Sequence, residues 1–90
     1  MSAEFTKLWS GAVRSAEGFI VRTRFGGGVV YEDAAGGHYH IDSEWKGREN
    51  GIILYRISKA NKGNSRVSLD KIFSDVTRAL EWQGYTVEIL

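Results

Sequence analysis

Apolar residues follow two periods along this chain. Over residues 3 to 17, Phe5, Leu8, Trp9, Ala12, Val13 and Ala16 fall at i, i+3, i+4, i+7, i+8 and i+11. That spacing is one face of a helix. Ser2 would cap its start and Gly18 would end it. Gly11 lies inside the stretch, where glycine costs about 1 kcal/mol relative to Ala. A helical turn running into a strand is therefore the second reading.

From Phe19 the period becomes two. Phe19, Val21, Thr23 and Phe25 share one face; Ile20, Arg22 and Arg24 share the other. Gly26, Gly27 and Gly28 follow as a turn. Val29 to Asp33 is the next strand, and Ala34-Ala35-Gly36-Gly37 the next turn. In His38 to Asp42, Tyr39 and Ile41 point inward while His38, His40 and Asp42 point outward. Residues 43 to 50 read as a polar connection around Trp45. Ile52 to Ile57, apolar on both faces except at Arg56, reads as a central strand. Residues 58 to 67 are a loop rich in Lys, Asn, Gly and Ser.

Ser68 then caps the clearest helix, with Asp70 in its first turn and Leu69, Ile72, Phe73, Val76 and Leu80 as its apolar stripe. Gly84 ends it. In the final strand, Tyr85, Val87 and Ile89 face away from Thr86, Glu88 and Leu90. The expected fold is α+β, in the order α-β-β-β-β-α-β. It is a mostly antiparallel sheet of about five strands with helices on one face. The other face carries Arg22, Arg24, Glu32, His38 and His40, with Arg56 a candidate for it.

Ninety residues suit a single domain over 1–90. A hydrophobic content of 42% provides a core and argues against disorder. The chain has no cysteine, which removes disulfides, thiol chemistry and cysteine-based zinc sites. No window has the apolar length of a membrane span, and the first residues lack a signal-peptide pattern, so the expected compartment is the cytoplasm. Net charge is +1, neither the footprint of a strongly basic nucleic-acid binder nor an acidic mimic.

Several clusters bear on chemistry. His38, His40 and Asp42 share one strand face, a pattern that suits metal donors. The outer two lie about 13 Å apart on a straight strand, so one ion would need a ligand from a neighbour such as Glu32. Solvated cross-strand pairs are the simpler account, and no metal or cofactor is expected. Asp42-Ser43-Glu44-Trp45 sets two carboxylates beside a hydroxyl and an indole. A metal-dependent or carboxylate hydrolase using His38, His40, Asp42 and Glu44 is a further alternative, and paired carboxylates serve hydrolysis when one of the two is desolvated. A turn closing the strand is the simpler reading. Arg22, Arg24, Arg56, Lys59, Lys62 and Arg66 form a candidate nucleic-acid stripe, but no aromatics are interleaved for base stacking. FGGGV stands between strands and lacks the Lys-Ser/Thr of a phosphate loop. Trp9 reads as core, and Trp82 as a helix-edge position.

The segments GGGVVYEDAAGGHYHIDSEW, GIILYRIS and RALEWQGYTVEIL resemble small bacterial immunity-type proteins of polymorphic toxin systems. The matching positions are Tyr39, Ile41, Asp42 and Glu44; Gly51, Ile52, Leu54 and Tyr55; and Ala79, Leu80, Gly84, Tyr85, Val87 and Glu88. The chain also resembles orphan cassette proteins of mobile elements such as integrons. The resemblance implies a non-enzymatic protein that binds and blocks a toxin, with no catalytic residues to carry over. The leading expectation is thus a small binding protein using Arg22, Arg24, His38, His40, Asp42, Ser43, Glu44 and Trp45. Its partner is a protein or a second copy. Nucleic acid is the alternative, and no membrane is involved.

Overall fold

A computed structural model describes residues 4–8, 11–24 and 28–90. Ser2, Trp9, Phe25, Gly26 and Gly27, on which parts of the sequence reading rested, lie outside them. The elements are β1 (Phe5–Lys7), β2 (Ala12–Ser15), β3 (Ile20–Thr23), β4 (Val29–Glu32), β5 (His38–Ile41), β6 (Ser43–Trp45), β7 (Gly51–Leu54), β8 (Lys62–Gly63), α1 (Leu69–Trp82) and β9 (Thr86–Ile89). The coarse class is α+β, as expected, but the order and the number of helices differ.

In place of the helix expected over residues 3–17, the described residues form two paired strands. β1 and β2 pair antiparallel with Phe5 opposite Ser15 and Lys7 opposite Val13. Gly11 at φ +75° and Gly18 at φ +103° turn the chain on either side of β2. Phe5 and Val13 do face inward, as the helical spacing implied. The antiparallel pairing of two short strands brings them there.

Six strands form an antiparallel sheet in the order β1-β2-β3-β4-β5-β8. β6, β7 and β9 form a second sheet, with β7 antiparallel to β6 and parallel to β9. The expected polar connection over residues 43–50 therefore begins as a strand. One nearly continuous run, residues 38–45, contributes to both sheets and changes sheet at Asp42. The expected loop over 58–67 supplies the two-residue strand β8. The expected strand over 52–57 stops at Leu54, and Ile57 is 94% exposed.

α1 packs over the inner faces of both sheets. Ile72, Phe73, Val76, Ala79 and Leu80 meet Phe5, Val13, Phe19, Val21, Tyr31, Ile52 and Leu54 in one core. Leu69, expected in that stripe, is exposed at the first helical position. Ser68 Oγ accepts from the Lys71 N–H at 3.3 Å, capping the start. At the other end Gly84 (φ +102°) allows Tyr85 N–H to donate to Leu80 O and Gly84 N–H to Glu81 O. This is the Schellman pattern that satisfies carbonyls left over in the last turn.

The β6–β7 turn is strained. Gly51 N–H donates to Arg48 O at 2.9 Å, and between them Glu49 and Asn50 stand at φ 56° and 52°. Two successive left-handed residues suit Asn or Gly and disfavour Glu. Glu49→Asn is expected to stabilise the fold by about 0.5 kcal/mol, raising Tm by about 2–4 °C. A melting curve that moves down, or not at all, would contradict this account of the turn.

Candidate functional site

In the six-stranded sheet, directly paired residues share a face. One cross-strand row on the outer face runs Thr6, Arg14, Ile20, Glu32, His38. The next runs Ala12, Arg22, Val30, His40, Lys62, with Ala12 buried at its end. Arg24 continues the alternation of β3, and its N–H donates to Gly28 O at 3.1 Å. Arg14, Arg22, Arg24, His38, His40 and Lys62 are all exposed. Ile20 and Val30, diagonal neighbours at the centre, are half-buried. Glu32 is the one carboxylate among these positions, and its Oε1 lies 3.0 Å from His38 Nε2.

Four of the expected binding residues, Arg22, Arg24, His38 and His40, therefore share one surface. Arg14 belongs with them and was assigned to a helix, where its spacing set it apart from Arg22. On β2 it stands one strand away.

The remaining four fall elsewhere. Asp42 and Ser43 lie where the chain passes from one sheet to the other. Asp42 Oδ2 accepts from Ser58 Oγ at 3.0 Å, and Asp42 N–H donates to Asn61 Oδ1 at 2.7 Å. Asp42 O accepts from Tyr55 N–H at 2.9 Å, and Asn61 Nδ2 donates to Tyr55 O at 2.7 Å. This network fixes a corner. Glu44 lies on the solvent face of the small sheet, accepting from Tyr55 Oη at 3.4 Å. Nearby acids and partial burial push the Tyr55 phenol up, burial being the larger cause. Trp45 points the other way. It is 48% exposed, with its ring edge-on to Tyr85 at 5.3 Å. Trp82, also partly exposed, leans on Phe5 at 5.7 Å.

Arg56, a candidate for the open face, lies on the helix side. Its guanidinium sits 5.3 Å from the Phe73 ring centroid and pairs with Asp70. Lys59 and Arg66 are exposed on the loop before α1. Thus the six basic residues proposed as a stripe do not form one. Nor do the metal donors converge, since Glu32 holds His38 while the Asp42 carboxylate holds Ser58. Among the described residues no three His, Asp or Glu side chains are grouped to hold an ion.

The sequence reading passed over Asp75. It is 2% exposed, under the helix. Tyr31 Oη donates to Asp75 Oδ2 at 3.0 Å, Lys71 Nζ reaches both oxygens at 3.0 and 3.2 Å, and an Arg78 nitrogen reaches Oδ1 at 3.0 Å. Arg78 also binds Glu4 and Glu17, tying α1 to β1 and to the β2–β3 turn. Burial, then the Asp75 hydrogen bond, pushes the Tyr31 phenol far above its ordinary value, so it stays a neutral donor. The Asp75 hydrogen bond likewise raises the Arg78 guanidinium. A signal was available, because Asp75 stands three residues after Ile72 and four before Ala79, inside the apolar stripe. A carboxylate there has to be paired.

Asp33 is a second satisfied acid. Its Oδ1 accepts from Ala35 and Gly37 N–H groups and its Oδ2 from Ser65 Oγ. The Ser65 hydroxyl first, then the Gly37 N–H, holds this carboxyl below its ordinary value. Both acids are occupied in holding the fold. The depression beside them, about 210 Å³, is walled mainly by Phe19, Tyr31, Ala34 and Val67.

No family model, characterised protein or solved structure matched this chain. Among the described residues no helix is long and apolar enough to cross a membrane.

Proposed function

We propose that this chain is a non-enzymatic binding domain that holds a protein partner on the open face of its six-stranded sheet. This is the role that the resemblance to immunity-type proteins implies. The observation that carries it is the diagonal contact position of half-buried Ile20 and Val30 inside a border of Arg14, Arg22, Arg24, Glu32 and His40. An apolar centre with a polar rim is the anatomy of a protein interface, and Arg is enriched where binding energy concentrates. An antiparallel sheet presents such a surface without further ordering of the chain. Trp45 and Tyr85 form a separate aromatic patch on the small sheet.

The hydrolase reading lacks this support. His38 and His40 belong to the open face, Asp42 to the corner and Glu44 to the other sheet.

The test is capture from extracts of the source cells by immobilised protein. Val30→Lys removes half of the apolar centre while leaving every cation in place. It is expected to lose a protein that both the wild type and Lys59→Glu retain, with circular dichroism confirming the fold. Capture indifferent to Val30→Lys would sink the reading.

A further inference from the structure

We infer that the partner surface met by this face is an acidic protein surface, its carboxylates taken by Arg14, Arg22, Arg24 and Lys62. This rests on the reading of the open face as a protein-binding surface and specifies its partner.

The distribution of charge carries the inference. Twelve Lys and Arg nearly balance eleven Asp and Glu over the whole chain. They are not mixed evenly in space. Elsewhere four cations meet acids, Lys46 with Glu88, Arg56 with Asp70, Lys71 with Asp75, and Arg78 with Glu4, Glu17 and Asp75, while Lys7, Arg48, Lys59 and Arg66 make no ion pair among the described residues and stand apart from one another. On the open face Arg14, Arg22, Arg24 and Lys62 take no ion-pair partner among the described residues. The residues outside the description contain no Asp or Glu that could supply one. Glu32 is engaged by His38, and Asp42 at the rim by Ser58. Arg14 on β2 and Lys62 on β8 stand four strand spacings apart, about 19 Å. The face therefore carries four cations with no ion-pair partner, spread around Ile20 and Val30.

Such a face repels a second copy of itself, so it is not a symmetric self-association surface. The planar fork of the three Arg binds carboxylate and phosphate alike through two hydrogen bonds, and two other features favour the carboxylates of a protein. Ile20 and Val30 need apolar contact, which a duplex backbone does not offer. No Phe, Tyr or Trp occupies a described outward position of these strands, where the rings are the imidazoles of His38 and His40, so the large stacking platforms that single-stranded nucleic acid uses are missing.

The probe is a synthetic peptide alternating Glu with Leu, about eight residues long, which extended spans more than the width of the face. A mixed-sequence DNA duplex is the comparison. Amide NMR shifts of the full chain are expected to map the peptide to residues 12–14, 20–24, 30, 38–40 and 62. Arg14→Glu/Arg22→Glu should weaken binding about tenfold or more, and added salt should weaken it further. The milder Arg14→Gln/Arg22→Gln guards against a reversal that perturbs the fold, and should weaken binding by a smaller factor. Lys59→Glu should leave it unchanged. Tighter binding of the duplex at equal salt would overturn the inference in favour of nucleic acid. It would also fall if the peptide failed to bind, or if the double Arg variants captured the same cellular protein as the wild type. In that last case, loss of capture by Val30→Lys leaves the protein-binding reading standing. Capture unaffected by either change removes both.

Discussion

Asp75→Ala is expected to lower the unfolding free energy by about 3 kcal/mol, measured by urea denaturation. Asp75 is almost wholly buried and accepts from three side chains at 3.0–3.2 Å. Removing one member of a buried charged pair usually costs about 3–5 kcal/mol, because the remaining groups lose their partner in a poorly solvated place. The lower end applies here. Lys71 and Arg78 have side chains 55% and 39% exposed, so both recover water, and Arg78 retains Glu4 and Glu17. The Tyr31 hydroxyl belongs to a residue 1% exposed and recovers nothing. Tyr31→Phe should therefore cost less, about 1–2 kcal/mol, since the carboxylate keeps two cations. The double variant should fall short of the sum, as coupled partners do. A loss below about 1 kcal/mol for Asp75→Ala would mean that the network only decorates the helix.

Gly63→Ala is expected to release the segment Asn61–Ser65 from the edge of β5 and to cost about 2 kcal/mol. A Cβ at this position would overlap the His38 carbonyl oxygen, with Tyr39 Cα at 2.6 Å and His38 carbonyl carbon at 2.9 Å. These are backbone atoms of a paired strand and cannot rotate away. The segment would have to lift. It would give up the Asn64 and Ser65 N–H bonds to His38 O, and the Asn64 Oδ1 contact to His38 N–H. Hydrogen exchange reads this directly. The His38, Asn64 and Ser65 amides should exchange faster, while amides of β3 and α1 keep their protection until global unfolding. Unchanged exchange at these amides would show that the close approach is not what holds β8.

Much of the fold was legible because it depends on local chemistry. Ser68, Asp70 and Gly84 bracket a stripe of Ile72, Phe73, Val76 and Leu80, and local caps with a sustained period determine a helix. β3 and β5 followed from alternation, and with it the outward positions of Arg22, His38 and His40; β4 followed from its place between two glycine turns. The first seventeen residues misled because two short strands around a turn can space apolar residues by three and four. Periodicity over so few residues does not separate a helix from a hairpin. Gly11 carried the warning, at a left-handed angle that only the turn requires. That error moved Arg14 off the candidate surface. Trp45 was read as the middle of a loop because its strand is made by pairing with β7, a partner later in the chain.

By itself the sequence determined the helix, three strands and the outward positions of His38, His40, Arg22 and Arg24. Each of these rests on neighbours within a few residues. The tertiary structure decided which strands joined which sheet, that residues 38–45 serve both, and that Asp42 turns the corner between them. It also decided that Asp75 meets Tyr31 across 44 residues and that Arg14 joins the open face. These depend on pairings between distant segments, and the free energy of such contacts is settled only when the whole chain is packed.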